Sequence, residues 1–233
     1  MIARPVGSRR WTPSTVWRRA LEVLRTEGVR SLWFRVLGET VYRRMIVMQR
    51  PYDLSLRDVE AGIPVAYGIL EPHGIDEYLQ LRPDADAEDI RLRLERRQVC
   101  LVARHEGRLI QAIWVAFERV WIDYLGCLVY LEPGAVYPYD LYAEPDIRGK
   151  NVHRAHFPHM FRYFQNVGIR VIVGAFHPEN RMQRIFTRLG FEPVATIGVV
   201  RLGPWRHSFC RYAHGEPARA AFSLRGPLRE VAE

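Results

Sequence analysis

The chain has 233 residues, 48% hydrophobic and 26% charged, which is the balance of an ordinary globular protein with enough length for a sizeable core. No apolar run approaches the roughly 18–20 residues of a membrane span, and no continuous apolar stretch of the secretory kind follows the N-terminal arginines. Three widely spaced cysteines, Cys100, Cys127 and Cys210, support neither a disulfide framework nor a CxxC metal site, so a reducing cytoplasm is the expected compartment.

Charge is concentrated at one end. Residues 1–50 hold 11 arginines against Glu22, Glu27 and Glu39, while the remaining chain is balanced at 23 basic and 23 acidic groups. The whole net charge of +8 therefore resides in the first fifth. Within it, Ser14 to Glu39 reads as a basic helical extension. Ser14 or Thr15 can cap it, Trp17, Leu21 and Leu24 fall at i, i+4 and i+7, Gly28 interrupts, and Leu32, Phe34, Val36 and Leu37 resume the apolar face. That face can pack on the rest of the protein, lie peripherally on an anionic membrane surface, or dock an acidic macromolecule. Nucleic acid is the least supported partner, because phosphate neutralisation comes here without a recognition module.

From residue 41 the elements alternate. Residues 41–50 and 63–70 suit strands, residues 74–81 and 86–97 suit helices, and 99–117 reads as two β-rich runs joined at Glu106-Gly107, a hairpin signal. Strand character continues through Tyr142, with a turn at Pro133-Gly134. A helix is expected from about Val152 to Asn166, ending at Gly168, although Pro158 should kink or delay it. A buried strand "IRVIVGAF", a short helix "NRMQRIFTRLGF" and strands "PVATIGVVRL" and "SFCRYA" follow. The expected fold class is α/β (α+β): a mixed, mostly antiparallel central sheet flanked by helices, preceded by the basic extension. Residues 1–50 form the extension and first strand, 51–215 the domain proper, and 216–233, rich in Pro, Ala, Arg and Glu, a flexible tail.

The second half carries a pattern. A strand, "PDIRGKNV", a helix, "VIVGAFHPEN", "RMQRIFTRLGF" and a last strand follow in order, with Arg148, Gly149, Asn180 and "RLGF" (188–191) at matching spacings. This resembles the GCN5-related N-acetyltransferase (GNAT) family over roughly residues 136–202, and plausible leading elements extend the likeness back to 63. A helix N-terminus with unpaired N–H groups suits a pyrophosphate. The resemblance implies that the donor substrate is acetyl-CoA or another acyl-CoA, and that no metal takes part. Its pyrophosphate would rest on Arg148, Gly149, Lys150, Asn151, Val152 and His153. Its pantetheine arm would pair with Tyr142, Ala143 and Glu144 in a gap between strands, and Asn180 and Phe186 would meet it from the next helix.

The departures from the family pattern are equally specific. Two motif glycines are replaced by Asn151 and His153. Asn tolerates positive φ best among the non-glycine residues, whereas His153 adds bulk where phosphate would rest. The tyrosine that many relatives use as acid is Phe186 here, leaving Tyr142 or Tyr139 as substitutes. Asp140, Glu144, Glu118 and Asp123 are the candidate bases, with His177 behind them. Cys127 has no His/Asp setting for a nucleophile. His153, His156 and His159 are spaced by three and drift around a helix, and no carboxylate or cysteine completes a metal site. The resemblance implies transfer of an acyl group to a primary amine of a small molecule such as an amino sugar or amino acid. A long-chain acyltransferase fed by acyl carrier protein is the alternative the basic extension would suit, and a non-catalytic interaction protein on the same scaffold is the third.

Overall fold

The computed structural model describes residues 41–51, 59–147, 149–178, 182–213 and 220–225. Most of the basic extension and tail, together with Arg148 and Asn180, lies outside the described residues.

Among these residues the central sheet has the order β10-β9-β1-β8-β7-β4-β3-β2. Strand β1 spans Tyr42–Pro51, β2 Ala66–Ile69, β3 Val99–His105, β4 Arg108–Ala116, β7 Ala135–Ala143, β8 Val171–Phe176, β9 Glu192–Leu202 and β10 Trp205–Tyr212. Every neighbour pair is antiparallel except β7 with β8. The mixed, mostly antiparallel sheet expected from the sequence is therefore present. Strands β3 and β4 form the expected hairpin, whose turn residues Glu106 and Gly107 have φ of 51° and 79°, the two positive values a type I′ turn requires.

Helices cover both faces. Helix α1 (Ile75–Leu81) and α2 (Ala87–Glu95, capped by the Asp86 side chain on the Glu88 amide) pack Tyr78, Leu81 and Ile90 on Cys100, Val102 and Trp114. Helix α3 (Val152–Asn166) lays Phe157, Met160, Phe161 and Phe164 on Val136, Ile172 and Met48 of the opposite face. Helix α4 spans Met182–Arg188. No helix among the described residues is long and apolar enough to cross a membrane.

Three features differ from the sequence reading. Pro158 lies inside α3 and is buried, yet the helix starts at Val152 without delay, because its long apolar face on the sheet outweighs one lost backbone hydrogen bond. Residues 222–225, within the segment read as a loose tail, form strand β11, which pairs with β6 (Cys127–Leu131), itself paired on its other side with β5 (Arg119–Ile122), in a second, three-stranded sheet. Phe222 at 2% exposure supplies the reason, since it is buried against the β8–β1–β9 side of the main sheet. Third, β1 is inserted between β8 and β9 and pairs with both.

That insertion is tight. A Cβ on Gly198 of β9 would lie 2.5 Å from the backbone oxygen of Arg43 in β1 and closer still to the Phe209 ring. Backbone cannot yield as a flexible side chain would, so Gly198→Ala is expected to destabilise the fold by about 1–3 kcal/mol. A lowered melting temperature against the wild-type chain is the readout, and an unchanged one would refute it.

Candidate active site in the gap between two strands

The site begins where the sheet comes apart. Parallel strands β7 and β8 are paired only at Ala135↔Val171 and Val136↔Ile172. Beyond that point β7 stays with β4 as far as Ala143, and β8 stays with β1 as far as Phe176. Each strand is hydrogen-bonded on its outer side, so the two can diverge without unravelling. Between them opens a gap that widens toward Glu144. The first β7 residue past the junction is Tyr137, whose hydroxyl accepts a hydrogen bond from the Ala175 amide at 3.2 Å.

At the wide end β7 runs into a single 3-10 turn, Pro145–Ile147, and then α3. Buried Ile147 and Val152 anchor this loop in a small cluster with Ala103 and Ile110, and the Gly62 amide donates to the Lys150 carbonyl at 2.7 Å. Gly149 has φ of 80° and Asn151 has φ of 55°. Asn151 thus holds the left-handed conformation that the substitution for glycine demanded. Its side chain makes no cap hydrogen bond, so the first-turn amides of α3 have no partner from it. Gly149, Lys150 and Asn151 are all exposed beside them. An uncapped helix N-terminus behind an exposed loop with two positive φ values is an anion cradle in form.

His153 does not turn outward. Its ring packs edge-to-face on Phe157 at 4.8 Å, and both ring nitrogens are buried without a hydrogen-bond partner. Burial pushes its pKa down to about 4. These two nitrogens are shielded from the exposed loop, so an anion at this turn would meet the backbone of residues 149–152 and not the imidazole. The other histidines go elsewhere: Gln111 Nε2 donates to His156 Nδ1 at 2.8 Å, and His159 stacks on Tyr67 at 4.0 Å. Burial pushes His156 down to about 3. Among the described residues no group of three His, Cys, Asp or Glu is placed to hold a metal.

The remaining candidates separate clearly. Phe186 lies in an aromatic cluster with Phe176, Phe191 and Phe157, at 4.5, 4.8 and 5.4 Å, and contributes packing at the edge of the gap. Asp140 sits in a β-bulge with φ of 46°, where two β7 residues oppose Ile113 of β4. The bulge aims its carboxylate at α1 and α2. One oxygen accepts from Arg82 at 2.5 Å and the other from Arg93 at 2.7 Å. The Arg82 guanidinium also lies 5.0 Å over the Tyr142 ring, and Arg93 lies over Trp114 and Tyr139. The Tyr139 hydroxyl donates to Gln98, and burial pushes its pKa up. Ala143 and Glu144 close the β7 edge, with Glu144 paired to Arg108 at 2.9 Å. Burial pushes the Asp123 carboxyl up at the tip of the β5–β6 hairpin, next to Tyr124, whose ring meets His177 at 5.4 Å. Glu118 is exposed at the turn between β4 and β5. Cys127 is fully buried, and that burial pushes its thiol up to about 11, consistent with a core residue.

Sequence reasoning did not find Tyr137, Arg82 or Arg93. No motif marks them; the available hint was the run of tyrosines at 137, 139 and 142, which alternation splits between the two faces of a strand.

Two measurements follow from this geometry. Asp140 is shared by two nearly buried guanidiniums, of which Arg82 also pairs with Asp84 at 3.3 Å, so Asp140→Ala is expected to cost about 3 kcal/mol in chemical denaturation; a cost below 1 kcal/mol would mean that solvent screens the cluster. The histidines give a pH signature. His153 and His156 are neutral when folded and have an ordinary value near 6.5 when unfolded, so the unfolded chain binds more protons as pH falls below about 6.5. Stability is therefore full above that value and is lost progressively toward pH 4. Urea midpoints at pH 7, 6 and 5 should fall, and His153→Phe should make the fall shallower; an identical slope would show that His153 is protonated in the folded protein.

No family model matches the sequence, and no curated protein matches it. Among solved structures the chain is similar to a GCN5-related N-acetyltransferase from Sphaerobacter thermophilus, at 14% identity over 78% of this chain and 54% of that one, TM-score 0.46. It is similar also to a putative GNAT-family acetyltransferase from Novosphingobium aromaticivorans, at 15% identity over 67% and 63%, TM-score 0.46. A third is aminoglycoside N-acetyltransferase AAC(6')-Iy in complex with CoA, at 22% identity over 55% and 91%, TM-score 0.40. The chain thus spans about half the length of the Sphaerobacter protein and under two thirds of the Novosphingobium one.

Proposed function

We propose that this protein is an N-acyltransferase that moves an acyl group from a coenzyme A thioester to a primary amine of a small molecule by direct attack on the thioester. The observation that carries the reading is the divergence of β7 and β8 with an anion cradle at its wide end. Phosphate binds to α3's first-turn amides, with the loop at 149–151 holding backbone close, and Lys150, exposed at that loop, adds charge. The pantetheine arm lies along the free edge of β7.

The chemistry then needs an uncharged amine and a place for the departing thiolate. In this reading Asp140 is a positioning residue: with both oxygens engaged by Arg82 and Arg93, it fixes the bulge and the Tyr142 face of the gap. Tyr142 presents a half-buried ring beneath Arg82 toward the acceptor side. An aromatic surface of that kind favours an acceptor with a flat part next to its amine.

Isothermal titration of the full chain with acetyl-CoA tests the donor half of this reading. Micromolar binding is expected. Gly149→Val should weaken it about tenfold, because a β-branched residue at φ of 80° costs about 1–2 kcal/mol in backbone conformation alone. A Cβ there meets nothing within 4 Å, so the effect reports loop conformation and not crowding. A wild-type chain that binds neither acetyl-CoA nor CoA would sink the reading.

A further inference from the structure

We infer that the phenol ring of Tyr137 closes the narrow end of the gap and restricts the donor to short acyl chains, an inference that rests on the thioester-donor reading above. The cradle for phosphate is at the wide end, at residues 149–153. A pantetheine arm that leaves it along the free edge of β7 therefore runs inward, from Ala143 toward Tyr137, and its acyl end arrives where the strands meet.

Tyr137 stands at that meeting point. It is the first β7 residue beyond the Val136↔Ile172 pair, and its hydroxyl reaches across to the Ala175 amide at 3.2 Å. One side chain thus spans both strands at the apex and satisfies a backbone donor that no strand partner could reach. The space around it is full. Tyr137 packs in one cluster with Val47, Cys127, Val129 and Val173, each at 2% exposure or less. On the opposite face Val136 and Ile172 are fully buried beneath Phe157 and Phe164 of α3. Close-packed interiors do not open for additional methylenes without displacing something. An acyl chain of two to a few carbons can end against the phenol ring, whereas a longer one must evict it or fold back out of the gap. Burial raises the phenol's pKa to about 12, so the ring is uncharged at neutral pH and compatible with an apolar acyl end.

The test uses the full chain and four ligands, CoA, acetyl-CoA, butanoyl-CoA and octanoyl-CoA, titrated calorimetrically. The wild-type protein should bind acetyl-CoA at least as well as CoA, and octanoyl-CoA about tenfold or more weaker than acetyl-CoA. In Tyr137→Ala the ranking should move toward the longer chains, with octanoyl-CoA gaining about tenfold relative to acetyl-CoA. Tyr137→Leu, which keeps apolar packing should the alanine variant not fold, should shift it the same way by a smaller factor. Wild-type protein that prefers octanoyl-CoA overturns the inference while leaving the donor reading intact. So does a folded Tyr137 variant whose ranking matches wild type. If wild type binds none of the four ligands, the donor reading fails and the role of Tyr137 falls with it.

Discussion

Everything distinctive about this molecule depends on a junction two residue pairs long. Ala135↔Val171 and Val136↔Ile172 are the parallel pairs that join two half-sheets, β10-β9-β1-β8 and β7-β4-β3-β2. A longer ladder would seal the sheet, and with none the halves would be separate bodies. The opening is tolerable because its edges are satisfied from outside: β4 holds β7, and β1 holds β8. Where an edge group would otherwise be left over, a side chain meets it, as the Tyr137 hydroxyl does for Ala175. The rest of the fold supports this arrangement. Helix α3 clamps one face of the junction with Phe157 and Phe164, and the three-stranded sheet clamps the other through Cys127 and Val129.

Much of this was legible in the sequence, for identifiable reasons. The β3–β4 hairpin was visible because Glu106-Gly107 is a turn signal that acts locally, and α3 because its apolar residues keep a helical period over fifteen positions. The left-handed turn at Asn151 was legible because conformational tolerance belongs to the residue type. What stayed hidden was decided at long range. Asp140 reads as an ordinary strand carboxylate, and its two guanidinium partners come from positions 47 and 58 residues earlier in the chain. Its positive φ follows from a bulge that β4 imposes. The inward turn of His153 depends on Phe157 and the sheet beneath it. Strand β11 is four residues long in a segment whose composition suggests a coil, and only burial of Phe222 makes it a strand.

The polar groups in the interior share a pattern. Asp140 with Arg82 and Arg93, Gln111 with His156, and Trp114 with Tyr78 are each deep in the fold and each tie a helix or a bulge to the sheet. Apolar contacts set how much surface is buried; these bonds set which rotamer and which register the buried groups adopt. The bulge in β7 is held from the helical side in this way, so the shape of the gap is fixed by residues that do not line it.

Strand β1 carries a consequence for how the molecule is made. It leaves the ribosome long before either of its partners, β8 and β9, both of which lie in the last third of the chain. Until then its apolar run, Met45 to Met48, has nothing to pair with, a nascent-chain exposure of the kind that slow, non-local sheets incur. The Arg-rich residues just before it place like charges beside that exposed strand throughout synthesis, and mutual repulsion of like charges opposes edge-to-edge association between nascent chains. Because the strand sits inside the sheet, trimming the first fifty residues as a dispensable leader would remove the support from one wall of the gap.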